Sequence, residues 1–201
     1  VQTDAIFRVF AGIAVLIIMV IAGTYRRRAT SGESFPVEEE GLAIAIPLRV
    51  GGLLGWLYAP ALALFPNALG WTTFDLFPTW LRAAATGVAL LVVPPFVAWA
   101  QRSLGRSVSP TVIVRKEHGL VTEGPYRYIR HPLYTAGAVF FLSIGVMTES
   151  WFLLGALVIL FGVLLIRTGK EEAKLIEAYG SEYRRYMQRT GRFFPRLFQR
   201  G

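Results

Sequence analysis

Residues 5–23 are almost pure Ala, Val, Ile, Leu and Phe, and that run constrains everything else. At ~1.5 Å per residue it is long enough, with its flanks, to cross a ~30 Å hydrocarbon core as a helix. Further apolar stretches follow at 42–65, 81–100, 133–147 and 151–167. Lipid offers no partners for backbone N–H and C=O groups, so such segments must satisfy them internally as helices. The expected fold is therefore all-α: a polytopic membrane protein with five transmembrane helices, a C-terminal helical hairpin and an amphipathic helical tail. The whole chain, 201 residues and 54% hydrophobic, is one compact unit by length. It reads as an N-terminal three-helix membrane region, 1–100, and a loop–hairpin–tail region, 101–201, in one integrated domain.

Each span carries local signals. Arg8 lies early enough in the first to snorkel outward, and Tyr25-Arg26-Arg27-Arg28 closes it. No small-residue cleavage site precedes that basic end, so a true span is expected, not a signal peptide. The loop that follows holds Glu38-Glu39-Glu40, a charge run read as a solvated face. In the second span Pro60 is expected to kink the helix or end its regular part. Gly51, Gly52 and Gly55 offer a small surface for close helix packing, and Trp56 and Tyr58 are expected to pack or to line a lipid-facing cleft. Trp71, Phe74, Phe77 and Trp80 crowd the loop 66–80, as in an interfacial aromatic belt. The third span contains Pro94-Pro95, which frees carbonyls that need partners; the sequence leaves open a plain kink or a bend that opens a pocket.

The formal net charge is +8. The charges flank apolar spans, so they are read as topology signals and contacts to anionic headgroups, not as a nucleic-acid surface. Five spans put 24–43, 101–132 and the tail on one side, and those segments hold seventeen of the 21 lysines and arginines. Arg8 and Arg82 fall opposite. By the positive-inside rule the basic side is cytoplasmic and the N-terminus outside. That means the plasma membrane in a bacterium or the endoplasmic reticulum in a eukaryote. The chain has no cysteine, which excludes disulfides, thiolate catalysis and Cys-based metal sites. With two histidines, His118 and His131, no metal centre is expected; His118 is read as a plain loop residue. No internal repeat suggests an inverted-repeat transporter. A monomer is expected.

One polar stretch interrupts the apolar pattern: Gly124-Pro-Tyr-Arg-Tyr-Ile-Arg-His-Pro-Leu-Tyr134. Pro132 suits the first position of a helix, which places His131 at its mouth. Free N–H groups and the helix dipole there favour an anion, and Arg130 and His131 add side-chain donors. Beyond the fifth span come Glu171-Glu172, then a tail in which Leu175, Ile176, Tyr179, Tyr183 and Tyr186 mark one face. Gly180-Ser181 is expected to break that tail into two short helices, with Ser181 as N-cap.

These residues resemble the signature of the isoprenylcysteine carboxyl methyltransferase family, which shares its C-terminal region with the phospholipid methyltransferases. The likeness runs from about Gly119 to Pro195 and rests on three motifs in order: the stretch ending at Tyr134, the pair Glu171-Glu172, and Gly180-Ser-Glu-Tyr-Arg-Arg-Tyr-Met-Gln-Arg189 followed by Arg192-Phe-Phe-Pro195. Thr190-Gly191 stands where the family often has Val-Pro, and Ala136 where it often has glycine. The first hundred residues are similar only in being hydrophobic.

The resemblance implies S-adenosylmethionine as cofactor and methyl transfer to a lipophilic acceptor at the cytoplasmic membrane face. The first candidate is a carboxylate of an isoprenylcysteine-like substrate. A phospholipid amine N-methyltransferase is the alternative, as is an NADPH-dependent reductase of a lipophilic substrate, because some sterol reductases are similar in this region. The expected cofactor-binding residues are Gly124, Pro125, Tyr126, Arg130, His131, Tyr134, Glu171, Glu172 and Tyr183. Arginine and imidazole suit a carboxylate, the glutamates suit an ammonium or ribose hydroxyls, and the tyrosine faces suit a sulfonium or adenine. His131, Glu171, Glu172 and Arg192 are the expected catalytic residues, Arg192 holding an acceptor carboxylate or a phosphate headgroup.

Overall fold

The computed structural model describes residues 2–29, 42–104 and 120–196. Glu38 to Glu40, His118 and the basic residues between 105 and 119 lie outside that set. The described residues form helices α1 (Gln2–Ala29), α2 (Leu42–Leu64), α3 (Pro66–Leu69), α4 (Thr79–Gly87), α5 (Val93–Leu104), α6 (Pro132–Met147), α7 (Trp151–Tyr179) and α8 (Ser181–Arg189). Among them there is no strand, only two isolated bridges. Three helical stretches are long and apolar enough to cross a membrane: Asp4–Tyr25, Thr79–Leu104 and Trp151–Tyr179. A fourth span arises if Val50–Leu64 and Pro66–Thr72, bent by 120°, count as one; α6 is apolar but shorter, at 16 residues.

Both proline-bearing spans continue as helix past their prolines. α2 runs unbroken through Pro60 to Leu64, and the chain turns at Phe65, where Pro66 starts α3. Pro94 and Pro95 do not end their helix. Val88–Val92 just before them winds as a π-helix, whose wider turn takes up the mismatch left by the missing N–H groups, and Thr79–Leu104 continues as one span.

α6 is the central helix, packed by α4, α5 and α7, while α2 lies against α1 and α7. The core gathers Ala11, Val15, Tyr58, Leu62, Val97, Phe140, Ile144 and Leu153. Two of the three α2 glycines permit this packing. A Cβ on Gly51 would stand 2.7 Å from Leu160, and one on Gly55 2.5 Å from Phe141; Gly52 faces open space. Trp56 stacks on Phe140 at 5.6 Å, so it is a packing residue.

At the end of the bundle where α6 meets α7, a buried charge cluster ties four segments together. Glu149, at φ 52, accepts from the Leu76 and Phe77 N–H groups through Oε1. Its Oε2 stands 2.9 Å from Arg82 Nη1, which also donates to Asp4 at 2.8 Å, while Arg82 Nε donates to the Met147 carbonyl. The Arg82 guanidinium lies 4.3 Å from the Phe7 ring centroid. Tyr58, Thr72 and Ser150 add a hydroxyl network beside it. Trp71 and Trp80 stand exposed at this end, as a belt would.

Helix α7 is longer than expected. It spans 29 residues, about 44 Å, and carries Glu171-Glu172 within it and not at its end. Gly180, at φ 55, then breaks the chain, and α8 folds back. Gly180 itself occupies the capping position and Ser181 is the first helical residue, making no side-chain cap.

Candidate active site

The polar stretch before α6 is pinned at its start by Gly124. Its φ of +60 is the left-handed region, and a Cβ would also collide with Ser103 of α5. Pro125 begins a 3₁₀ turn, Gly124–Arg127, that buries Tyr126. From the tail, Tyr186 donates its hydroxyl to the Tyr126 carbonyl at 2.6 Å. Burial pushes the Tyr186 phenol up to about 12 and raises Tyr126 further, so both keep their protons.

Beyond that turn, loop and tail pair side by side. Ile129 forms a parallel bridge with Gly191; the Arg130 N–H donates to the Gly191 carbonyl at 2.9 Å, the Gly191 N–H to Tyr128 at 3.1 Å, and the His131 N–H to Arg192 at 3.1 Å. Gly191 is required twice over. A Cβ there would overlap the Phe194 carbonyl oxygen, and a proline, common at this place in the family resembled, has no N–H for Tyr128.

This pairing aims three cationic or protonatable side chains at Glu172, whose side chain is 3% exposed. Arg130 Nε donates to Oε1 at 2.7 Å, with His131 Nε2 3.3 Å from the same oxygen. Arg192 donates to Oε2 through both Nε, at 3.0 Å, and Nη2. The hydrogen bond to Glu172 raises the Arg192 pKa above its ordinary value. Arg130 Nη1 also donates to the Thr190 and Met187 carbonyls of α8 and its end. In this structure the anion that Arg130 and His131 face is the protein's own Glu172 carboxylate. His131 occupies the N-cap position of α6, but its side chain makes no cap bond; it turns into the cluster instead.

Glu171 is the more open of the pair, its side chain 22% exposed. It accepts from the Tyr134 hydroxyl at 3.1 Å and stands 4.0 Å from His131 Nδ1. The Tyr134 ring stacks on His131 at 5.5 Å with an 11° tilt. Arg167, one helical turn before Glu171, places its guanidinium 5.8 Å from the Tyr134 ring. Its i,i+4 spacing to Glu171 is the sequence signal that places it beside the pair. Phe193, part of the Arg192-Phe-Phe-Pro195 motif, lies against His131 at 5.9 Å.

The sequence-predicted residues therefore divide. Arg130, His131, Tyr134, Glu171, Glu172 and Arg192 come together. Gly124, Pro125 and Tyr126 shape the loop that aims them. Tyr183 is 1% exposed and packs on Tyr186, so neither face of its ring is open to a ligand. Among the described residues no group of three or more His, Cys, Asp or Glu is arranged to hold a metal ion.

Comparison with known proteins now bears on this cluster. The profile of the family described as phospholipid methyltransferase matches residues 82–182, from Arg82 through both glutamates. The chain belongs to the phospholipid methyltransferase family. Over 143 residues it is 33% identical to the nickel-cobalt-cadmium resistance protein NccN of Alcaligenes xylosoxydans xylosoxydans, covering 71% of this chain and 63% of that protein. It is 37% identical over 83 residues to the cobalt-zinc-cadmium resistance protein CzcN of Cupriavidus metallidurans, 41% of this chain and 38% of the relative. It is 34% identical over 70 residues to methanethiol S-methyltransferase 1 of Bradyrhizobium diazoefficiens, 35% and 24% respectively. The chain spans less than two thirds of the length of each. The family and the apolar helices together make this an integral membrane protein.

Proposed function

We propose that this phospholipid methyltransferase family member transfers a methyl group from S-adenosylmethionine to a lipophilic acceptor at the cytoplasmic face of the membrane. The observation that carries the reading is the cluster on Glu172: the family's profile covers it up to residue 182, and the tail beyond supplies Arg192. S-adenosylmethionine, when bound, supplies a methyl group already activated on a sulfonium, so the protein mainly aligns donor and acceptor. The residues suit it unequally. Glu172 has its oxygens engaged by Arg130, His131 and Arg192, and holds the loop, α7 and the tail in one geometry. Glu171 retains open carboxylate surface for an ammonium or ribose hydroxyls, with Tyr134 beside it. His131 and Arg130 position Glu172 and the helix mouth.

For the acceptor, an isoprenylcysteine-like carboxylate is the first candidate; it is nucleophilic at neutral pH and needs no base. An amine or thiol acceptor loses a proton, which Glu171 or His131 is placed to take. The relative named for methanethiol makes a thiol the second candidate, ahead of the phospholipid amine. NccN and CzcN are named for metal resistance, and the reading here stays with methyl transfer on the strength of the family. The test is to incubate purified protein and membrane extract with methyl-labelled S-adenosylmethionine and to identify labelled products by mass spectrometry. Calorimetry with S-adenosylmethionine and with NADPH runs alongside. Labelled lipophilic product with binding of S-adenosylmethionine alone is the expected result; binding of NADPH alone, without product, overturns the reading in favour of a reductase.

A further inference from the structure

The tail does more than deliver Arg192. After Gly191 the chain turns sharply, and the Phe193 ring lies between two very different surfaces. On one side, 5.9 Å away, is the His131 imidazole of the polar cluster. On the other, 5.4 Å away, is Phe161, in the apolar stretch of α7 whose neighbours Val158 and Ile159 stand exposed as a lipid-facing surface would. Phe161 precedes Glu172 by eleven residues, about 16 Å along the helix, so this aromatic contact descends from the charged cluster toward the membrane interior. The strap is firmly held. The Phe193 carbonyl accepts from Thr135 at 2.9 Å, and the loop–tail pairing fixes the residues before it. Phe193 is buried while Phe194 beside it is 72% exposed.

We infer that Phe193 is a specificity-determining residue: the wall between the reacting centre and the bilayer, past which the apolar part of the acceptor extends. The inference rests on the methyl-transfer reading above and adds what selects the acceptor. A substrate whose polar end reacts beside His131 and whose chain lies in lipid passes along the Phe193–Phe161 contact, so the bulk of that ring limits the bulk of acceptor admitted. The Phe193 ring meets the polar cluster at His131, while Glu171 and Tyr134, proposed to hold the cofactor, pair with each other, so cofactor affinity is expected to be set elsewhere.

The experiment uses Phe193→Leu and Phe193→Ala in the full chain, reconstituted in nanodiscs and supplied with membrane extract and methyl-labelled S-adenosylmethionine. Cofactor affinity is measured by calorimetry, and labelled products are resolved by chain size. Both variants are expected to bind cofactor as wild type does. The ratio of bulky to slender labelled products should shift by about tenfold, the scale on which an apolar pocket discriminates by size. Phe193→Leu, with a milder change in volume, covers the case in which the alanine variant fails to fold. Labelled product in wild type with an unchanged size ratio in a folded, cofactor-binding variant overturns the inference and leaves the methyl-transfer reading standing. No labelled product from wild type at all overturns that reading, and this inference falls with it.

Discussion

Replacing Glu172 by glutamine should cost mainly stability, whereas replacing Glu171 by glutamine should cost mainly cofactor affinity. The structure supplies the difference. Glu172 is buried and takes charged hydrogen bonds from three side chains at once. A glutamine there turns one acceptor oxygen into an NH2 donor facing either Arg130 and His131 or Arg192. A guanidinium left unmatched in a buried pair costs about 3–5 kcal/mol. Arg192 is 39% exposed, so water screens part of its share, and the estimate rests on Arg130, whose side chain is 8% exposed. Thermal unfolding of detergent-purified protein should register the loss as a fall in Tm of roughly 6 °C or more. Glu171 is the more open carboxylate and accepts from the Tyr134 hydroxyl with an imidazole 4.0 Å away, so the Tm of Glu171→Gln should stay close to wild type. Its S-adenosylmethionine affinity should drop by about 1.5–3 kcal/mol, the worth of a hydrogen bond to a charged group, or roughly ten- to a hundredfold. Glu172→Gln with an unchanged Tm but abolished cofactor binding would refute the division, because it would make Glu172 a ligand contact and not an internal clamp.

Three further outcomes are expected. His131→Ala should remove most methyl transfer per folded molecule, while Pro132→Ala, which only relaxes the backbone before α6 at about 0.4–1 kcal/mol, should remove less; rates normalised to folded protein check this, and an active His131→Ala enzyme refutes it. Arg82→Met should destabilise by about 3–5 kcal/mol, because it strands buried Glu149 at the far end of the bundle; a melting curve like wild type refutes it. Reporter fusions after Arg196 and within the loop 66–80 should report opposite sides of the membrane, and both reporting one side would sink the topology.

Much of the fold was legible because apolar length is a one-dimensional signal. A run of lipid-compatible residues states its own helix and rough span without reference to anything else. The loop before α6 was legible for a related reason: Gly124, Pro125 and Pro132 act through local backbone geometry, and the structure puts them at a left-handed φ, a 3₁₀ start and a helix N-terminus. Proline inside a helix is less legible from sequence. Whether it ends a helix depends on how the neighbouring backbone winds, and the π-turn at Val88–Val92 before Pro94-Pro95 has no marker in residue type.

What composition could not show is which charges answer which. Glu149 looked like a linker residue between two apolar runs, yet it caps Leu76 and Phe77 and neutralises Arg82, partners 67 to 73 residues away. The same limit governs the site. Arginine and histidine before a helix predict an anion there, and that chemistry is sound, but the sequence does not say whether the anion is a ligand or another part of the chain. Here it is Glu172. A carboxylate supplied from within ties the loop before α6, α7 and the tail into one arrangement, and under the proposed function Glu171 and Tyr134 then meet the cofactor with little left to reorganise. A site of the proposed kind, which would align a donor from water with an acceptor from lipid, gains most from such preorganisation, since methyl transfer from a sulfonium consists chiefly of holding the two in line.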